Sequence, residues 1–160
     1  MLKTSLLILI FLPGYYIAIA QKYSYKPENS IIYDSTNGEK IIAQCSRDIP
    51  KNISHYWNIT QFDIKRLENN FKRVLLLRSK FCCNIGYKVK HLKKYGFQYT
   101  GVIIDQKKYI YLNAFTSNDN PNWDNRPIVV CDGGMAYWGV LFNIEDLSFS
   151  ELSFNGWPID

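Results

Sequence analysis

Residues 95–115 read YGFQYTGVIIDQKKYIYLNAF, and this stretch decides the fold. Two runs rich in Tyr, Phe, Val, Ile and Thr, Phe97–Ile104 and Tyr109–Phe115, flank a short polar connection at Asp105–Lys108. Aromatic and β-branched side chains suit a pleated, half-buried surface. A four-residue polar link between such runs is a hairpin length. The pattern predicts an antiparallel pair near the middle of the chain.

More strands are expected downstream. Thr116–Arg126 is a polar loop with one Trp, and Pro127–Cys131 (PIVVC) reads as a short apolar strand. Asp132-Gly133-Gly134 reads as a tight turn, because glycine tolerates the positive φ that hairpins demand. Met135–Asn143 (MAYWGVLFN) is apolar on both alternating faces, which predicts a central strand covered on both sides. Phe149–Phe154 reads as a last strand.

Upstream lies the best helix, Ile59–Lys80. Thr60 and Asp63 stand at capping-box spacing. Ile64, Leu67, Phe71, Val74 and Leu75 recur at three- and four-residue intervals and give one apolar face. Lys65, Glu68, Asn69 and Lys72 occupy the other face, so the helix is expected to cover a sheet. Further upstream, Ile31–Tyr33 and Lys40–Cys45 flank an Asn37-Gly38 turn signal and suggest an N-terminal hairpin.

The expected fold is α+β, with one amphipathic helix packed on an antiparallel sheet of about four to six strands. Cystatin-like proteins share this order, an analogy of fold that carries no function. Three segments are expected: a signal peptide at 1–20, an N-terminal arm with its hairpin at 21–54, and the helix-plus-sheet domain at 55–160.

The leader reading rests on Met1–Ala20, MLKTSLLILIFLPGYYIAIA. Lys3 supplies a positive start, Leu6–Leu12 an apolar core, and Ala18-Ile19-Ala20 a small-residue cleavage pattern. The apolar run is far shorter than the ~20 residues of a membrane span. An exported protein, periplasmic or extracellular, with no membrane span after cleavage is expected. The chain of 160 residues less this leader of 20 leaves 140, enough for one domain with its own core.

Export lets the four cysteines pair. Three connectivities are open. Cys45 with Cys131 is favoured because both end strand-like runs; the adjacent Cys82 and Cys83 would need a strained ring. Zinc-type spacings of Cys and His are absent, and His55 and His91 stand alone, so no metal and no cofactor are expected.

The net charge is +5, or +4 without the leader. Lys88, Lys90, Lys93 and Lys94 form the one basic cluster. A nucleic-acid binder usually concentrates charge over a whole face, so nucleic acid is not an expected partner. No phosphate-cradling or dinucleotide glycine motif occurs.

Catalytic signals are weak. Cys131 beside Asp132-Gly133-Gly134 lacks a flanking His, and a tight turn explains the glycines. The acids Asp105, Asp119, Asp124, Asp132, Glu145, Asp146 and Glu151 are scattered, mostly in expected turns, so no carboxylate pair stands out. No catalytic residue is assigned. Binding is the more favoured class, with Trp123, Trp157, Asn113 and Asp132 as candidate ligand contacts. Trp138 is expected in the core. Trp123 stands in a polar loop and suits either a loop anchor or a partner contact.

Several short motifs recur together: Gln98-Tyr99-Thr100-Gly101, Tyr109–Phe115, Trp123, Asp132-Gly133-Gly134, Trp138-Gly139-Val140 and Phe154-Asn155-Gly156, with Trp57 ahead of Ile59-Thr60. In these the chain resembles an uncharacterised family of small exported proteins from Gram-negative bacteria, over roughly residues 55–157. The resemblance implies an exported location and one fold, and no activity. An exported binding or protein-interaction module of unknown ligand is therefore expected, with a small periplasmic hydrolase or an inhibitor or immunity-type protein as the alternative.

Overall fold

The central hairpin turns more tightly than its composition suggests. In the computed structural model, which describes residues 22–81, 84–116 and 122–156, Asp105 and Gln106 alone make the turn. Both have positive φ, 48° and 64°, the conformation whose twist matches that of the flanking strands. The strands lengthen accordingly, to Tyr95–Ile104 and Lys107–Thr116. Their register puts Gln98 directly opposite Asn113 and Tyr99 opposite Leu112.

In chain order the elements are β1 (Ser30–Ile32), a 3-10 turn (Ser35–Asn37), α1 (Gly38–Ile42), β2 (Ile53–Trp57) and α2 (Gln61–Asn70). A 3-10 stretch follows at Phe71–Leu76, then β3 (Tyr95–Ile104), β4 (Lys107–Thr116), a 3-10 turn (Gly134–Ala136), β5 (Trp138–Asn143) and β6 (Ser148–Phe154). The protein is α+β. Strands β3 to β6 form an antiparallel meander. The outer edge of β3 is shared: β1 pairs parallel with Phe97–Tyr99, and β2 pairs antiparallel with Gly101–Ile104. The sheet is thus mixed at that one edge.

Helix α2 starts as its sequence dictates. The Thr60 hydroxyl accepts from the Asp63 N–H at 3.3 Å, and Asp63 Oδ2 accepts from the Thr60 N–H at 3.0 Å. Reciprocal capping of this kind satisfies amides that have no partner within the helix. The α-helix stops at Asn70, ten residues earlier than the expected end at Lys80, and tightens into a 3-10 turn through Leu76. The apolar face survives this change, since Ile64, Leu67, Phe71 and Val74 are all buried.

That face packs on Tyr95, Phe97, Tyr99, Leu112, Trp138, Val140 and Phe142. Phe71 meets Phe97 edge-on at 4.9 Å, and Trp138 meets Phe97 and Tyr95 edge-on at 5.8 and 5.4 Å. Such geometry adds to the burial of aromatic area. Trp138 lies in the core as expected, and β5 is buried along its whole length.

The N-terminal hairpin does not form. Asp34 Oδ1 accepts from the amides of Thr36 and Asn37 and opens a 3-10 turn that runs into α1. An Asp that satisfies backbone donors locally competes with strand pairing, and here it overrides the Asn-Gly signal. Pro127–Cys131 is not a strand either. Its backbone groups are taken by side chains: Ile128 N–H donates to Gln98 Oε1 at 2.9 Å, and Ile128 C=O accepts from Asn113 and Gln44 at 2.8 and 3.1 Å. Gly133 and Gly134, at φ 90° and 52°, turn the chain into a 3-10 turn, so β5 begins at Trp138 rather than Met135. The expected leader at 1–20 lies outside the described residues.

Candidate functional site

The sheet face away from α2 is filled. Val102, Tyr111 and Leu141 point at Ile41 and Ile42 of α1, with Tyr33, Ile49, Ile53 and Tyr56 packed around them. The segment from Tyr33 to Trp57 therefore straps across this face. A disulfide joins Cys45 to Cys131, with Cα atoms 4.8 Å apart, as the sequence favoured. The Ser46 carbonyl accepts from Gly156 N–H at 2.8 Å beside it.

Beneath the strap lies a polar seam. Arg47, only 6% exposed, donates to Tyr111 Oη at 3.0 Å, to Asn155 Oδ1 at 3.2 Å and to Asn113 Oδ1. Asn113 donates onward to Gln98 Oε1 at 3.1 Å. Gln98 Nε2 donates to the carbonyls of Trp123 and Arg126, both at 2.7 Å. Asn155 donates to the carbonyls of Val130 and Asp132. Among the described residues the partners of Arg47 are neutral oxygens. A buried guanidinium so held costs desolvation, and its donors and their acceptors are strongly interdependent. The seam fastens the 122–133 loop and the strap to the sheet.

This seam accounts for three of the four candidate ligand contacts. Asn113 is 1% exposed and its amide is consumed within the seam. Trp123 is half-buried, with its ring 6.2 Å from Phe115 and its carbonyl held by Gln98. Asp132 is exposed and its carbonyl accepts from Asn155 at 2.9 Å. Trp157 lies outside the described residues. The structure brings Asn113, Trp123 and Asp132 together through one network of internal hydrogen bonds, and none of the three lines the groove described next.

A groove of about 600 Å³ opens where the strap crosses the sheet end. Asp48–Asn52 form one wall, and Leu77, Arg78, Lys80 and Phe81 another. Ile104 and Asp105 close one end, and Phe149–Ser153 of β6 make the floor. The Asp48 N–H donates to Ser153 Oγ at 3.0 Å, which pins the strap to that floor. Phe149 and Leu152 belong to the main core, so the groove reaches down to apolar surface. Charges of both signs ring it: Asp48, Asp105 and Glu151 with Lys51, Arg78 and Lys80.

Three of its lining residues, Asn52, Asp105 and Glu151, hold left-handed backbone at φ 58°, 48° and 55°. Asp105 belongs to the hairpin turn. Glu151 sits where the β5–β6 register slips between Gly139 and Leu141, a bulge in β6. Left-handed backbone costs an ordinary residue about 1–2 kcal/mol, and such strain concentrates at functional sites. Glu151 is exposed as a residue, and partial desolvation of its carboxyl is the main cause that holds it above its ordinary value, with the Asp48 carboxylate adding to the shift and Lys51 opposing it.

His55 and His91 are both exposed, one in β2 and the other ahead of β3, and neither lines the groove. Among the described residues no group of three or more His, Cys, Asp and Glu could hold a metal, and no helix is long and apolar enough to cross a membrane. The class defined here is an α+β domain with a disulfide-fastened strap over a six-stranded mixed sheet. Comparison with family models, with curated proteins and with solved structures finds no match to the chain.

Proposed function

We propose that this chain is an exported interaction module that captures one protein partner through the groove beside Glu151. The observation that carries the reading is the groove itself. It is the recess left once the strap has filled the second sheet face, and left-handed backbone at Asn52 and Glu151 shapes it. Export is supported by the leader pattern of Met1–Ala20 and by the disulfide. An apolar floor ringed by charges of both signs suits a side chain inserted from a protein surface, with the rim charges setting register. An inhibitor or immunity-type role is one form of this reading.

Affinity capture from the exported fraction of the producing cells, followed by titration of the retained protein, tests it. Glu151→Lys and Lys51→Glu should each weaken binding at least tenfold, and Trp123→Ala should leave it unchanged. Undiminished binding by both groove variants would remove the groove from the function.

One observation favours a second reading. A carboxyl with raised pKa beside another carboxylate in a groove is the arrangement of a general acid and its partner. A small hydrolase of this kind would lose turnover in Glu151→Gln and in Asp48→Asn. The interaction module would keep its partner in Glu151→Gln, which retains the side-chain shape.

A further inference from the structure

Between Glu68 and Asp105 the chain carries eight Lys and Arg residues and no Asp or Glu. The whole chain has 19 basic and 14 acidic side chains, so the remainder holds 11 against 14 and is net acidic. The positive charge of the protein is therefore concentrated in the stretch that leads from α2 into β3.

That stretch is rooted in the core and turned outward between its roots. Val89 and Leu92 are 3% and 5% exposed within the main core. Lys90, His91, Lys93 and Lys94 around them are exposed. The preceding part is closed by two backbone hydrogen bonds, Ser79 N–H to Tyr87 C=O and Gly86 N–H to Ser79 C=O, both at 2.8 Å. On this neck Ile85 stands 69% exposed and Tyr87 is exposed as well; Leu76, which ends the 3-10 stretch before it, is 66% exposed. Three of the five large apolar side chains that the described residues leave exposed thus lie in this acid-free stretch.

We infer that Leu76 together with residues 84–94 is a docking surface for a bilayer rich in anionic lipid headgroups. The lysines meet the lipid phosphates, and Ile85 and Leu76 enter the boundary between headgroups and acyl chains. A soluble polyanion would call on the charges alone. Aliphatic side chains held in water among lysines match a charged surface with an apolar layer beneath it. Contact of this kind lies on the membrane and needs no spanning helix. The side chains invoked, Leu76, Ile85, Lys90, Lys93 and Lys94, do not line the groove, so the inference stands apart from partner capture.

Sedimentation of the purified full chain with vesicles tests it. One set is phosphatidylcholine alone and the other carries about a third phosphatidylglycerol. Neutral vesicles also report any binding by the apolar residues 2–20, which every variant shares. The expected result is binding to anionic vesicles well above that to neutral ones, falling steeply with salt. Lys90→Gln/Lys93→Gln/Lys94→Gln should lower the partition about a hundredfold, at roughly a factor of five per charge. Ile85→Ser/Leu76→Ser should lower it at least tenfold with every charge intact. All the altered side chains are exposed, and thermal unfolding checks that each variant remains folded. Equal binding to both vesicle types would overturn the inference. So would an undiminished partition in the Ser variant, or binding to heparin or RNA but not to anionic vesicles, since each would identify a polyanion site or none.

Discussion

The disulfide gives the sharpest stability prediction. Cys45 and Cys131 are 86 positions apart. Cross-linking a loop of that length removes unfolded-state entropy worth about 4.5 kcal/mol at 25 °C. Both cysteines are exposed, so Cys45→Ser/Cys131→Ser removes the cross-link with little loss of packing. Urea unfolding of the double variant against the oxidised parent measures the difference. Cys82 and Cys83 are common to both proteins and cancel. With a slope of about 1.5 kcal/mol/M for a domain of this size, the midpoint should fall by about 3 M. Brief reduction of the parent should reproduce the shift, because the bond is accessible. A loss below about 1 kcal/mol with an unchanged slope would refute the reasoning. The strap would then be held by the hydrogen bonds of Gln44, Arg47 and Gly156, with the unfolded chain already closed near this pair.

Other outcomes follow from the seam, the sheet and the groove. Arg47→Ala should cost about 3 kcal/mol in urea unfolding, because it orphans the acceptors on Tyr111, Asn113 and Asn155; Arg47→Lys should recover little of it, since an ammonium cannot reach three acceptors as a planar fork does. Gly101→Ala should cost about 2 kcal/mol or more, since a Cβ there would overlap the Trp57 carbonyl oxygen and indole ring; a neutral result by thermal unfolding would mean that β2 can lift off β3 freely. Glu151 sets a pH dependence of definite sign. Its folded pKa is raised, so the folded state holds the proton more tightly. Ionised Glu151 thus costs stability above the raised value, and that cost vanishes below the unfolded value of about 4.3. Relative to the parent, Glu151→Gln should gain stability as pH rises from 4 toward 7, and a constant difference across that range would show that Asp48 and burial do not act on this group.

The meander from β3 to β6 and the apolar face of α2 were legible because local pattern and tertiary role agree there. Phe97, Tyr99, Leu112 and Ala114 alternate as a covered strand should, and Thr60 with Asp63 announces a helix start. The N-terminal third was not legible in the same way. Asn37-Gly38 is a strong local turn signal, but Asp34 claims the neighbouring amides first. Pro127–Cys131 has strand composition, yet its hydrogen bonds go to Gln44, Gln98 and Asn113, residues tens of positions away. The seam left one overlooked trace. Had the two-residue turn at Asp105-Gln106 been recognised, the register would have set Gln98 against Asn113 on a single face. Two amides directly opposed inside an apolar hairpin announce a buried polar contact. The groove left no trace, because its walls come from four separated segments and Glu151 reads as an ordinary polar position in an alternating strand.

The shared edge of β3 bears on what happens before the strap is in place. β3 is a ten-residue run, YGFQYTGVII, and among the described residues 30–32 and 53–57 occupy its outer side. Both pieces precede β3 by many residues, so the meander is complete in sequence without them. A chain whose strap has not yet closed presents a long, largely apolar strand with unpaired amides, the template on which foreign strands add. The strap is thus a built-in chaperone for its own sheet, and the bond to Cys131 is the latch that keeps it seated. Chains that open there would recruit one another strand to strand, and self-assembly would begin at β3 before the core had melted.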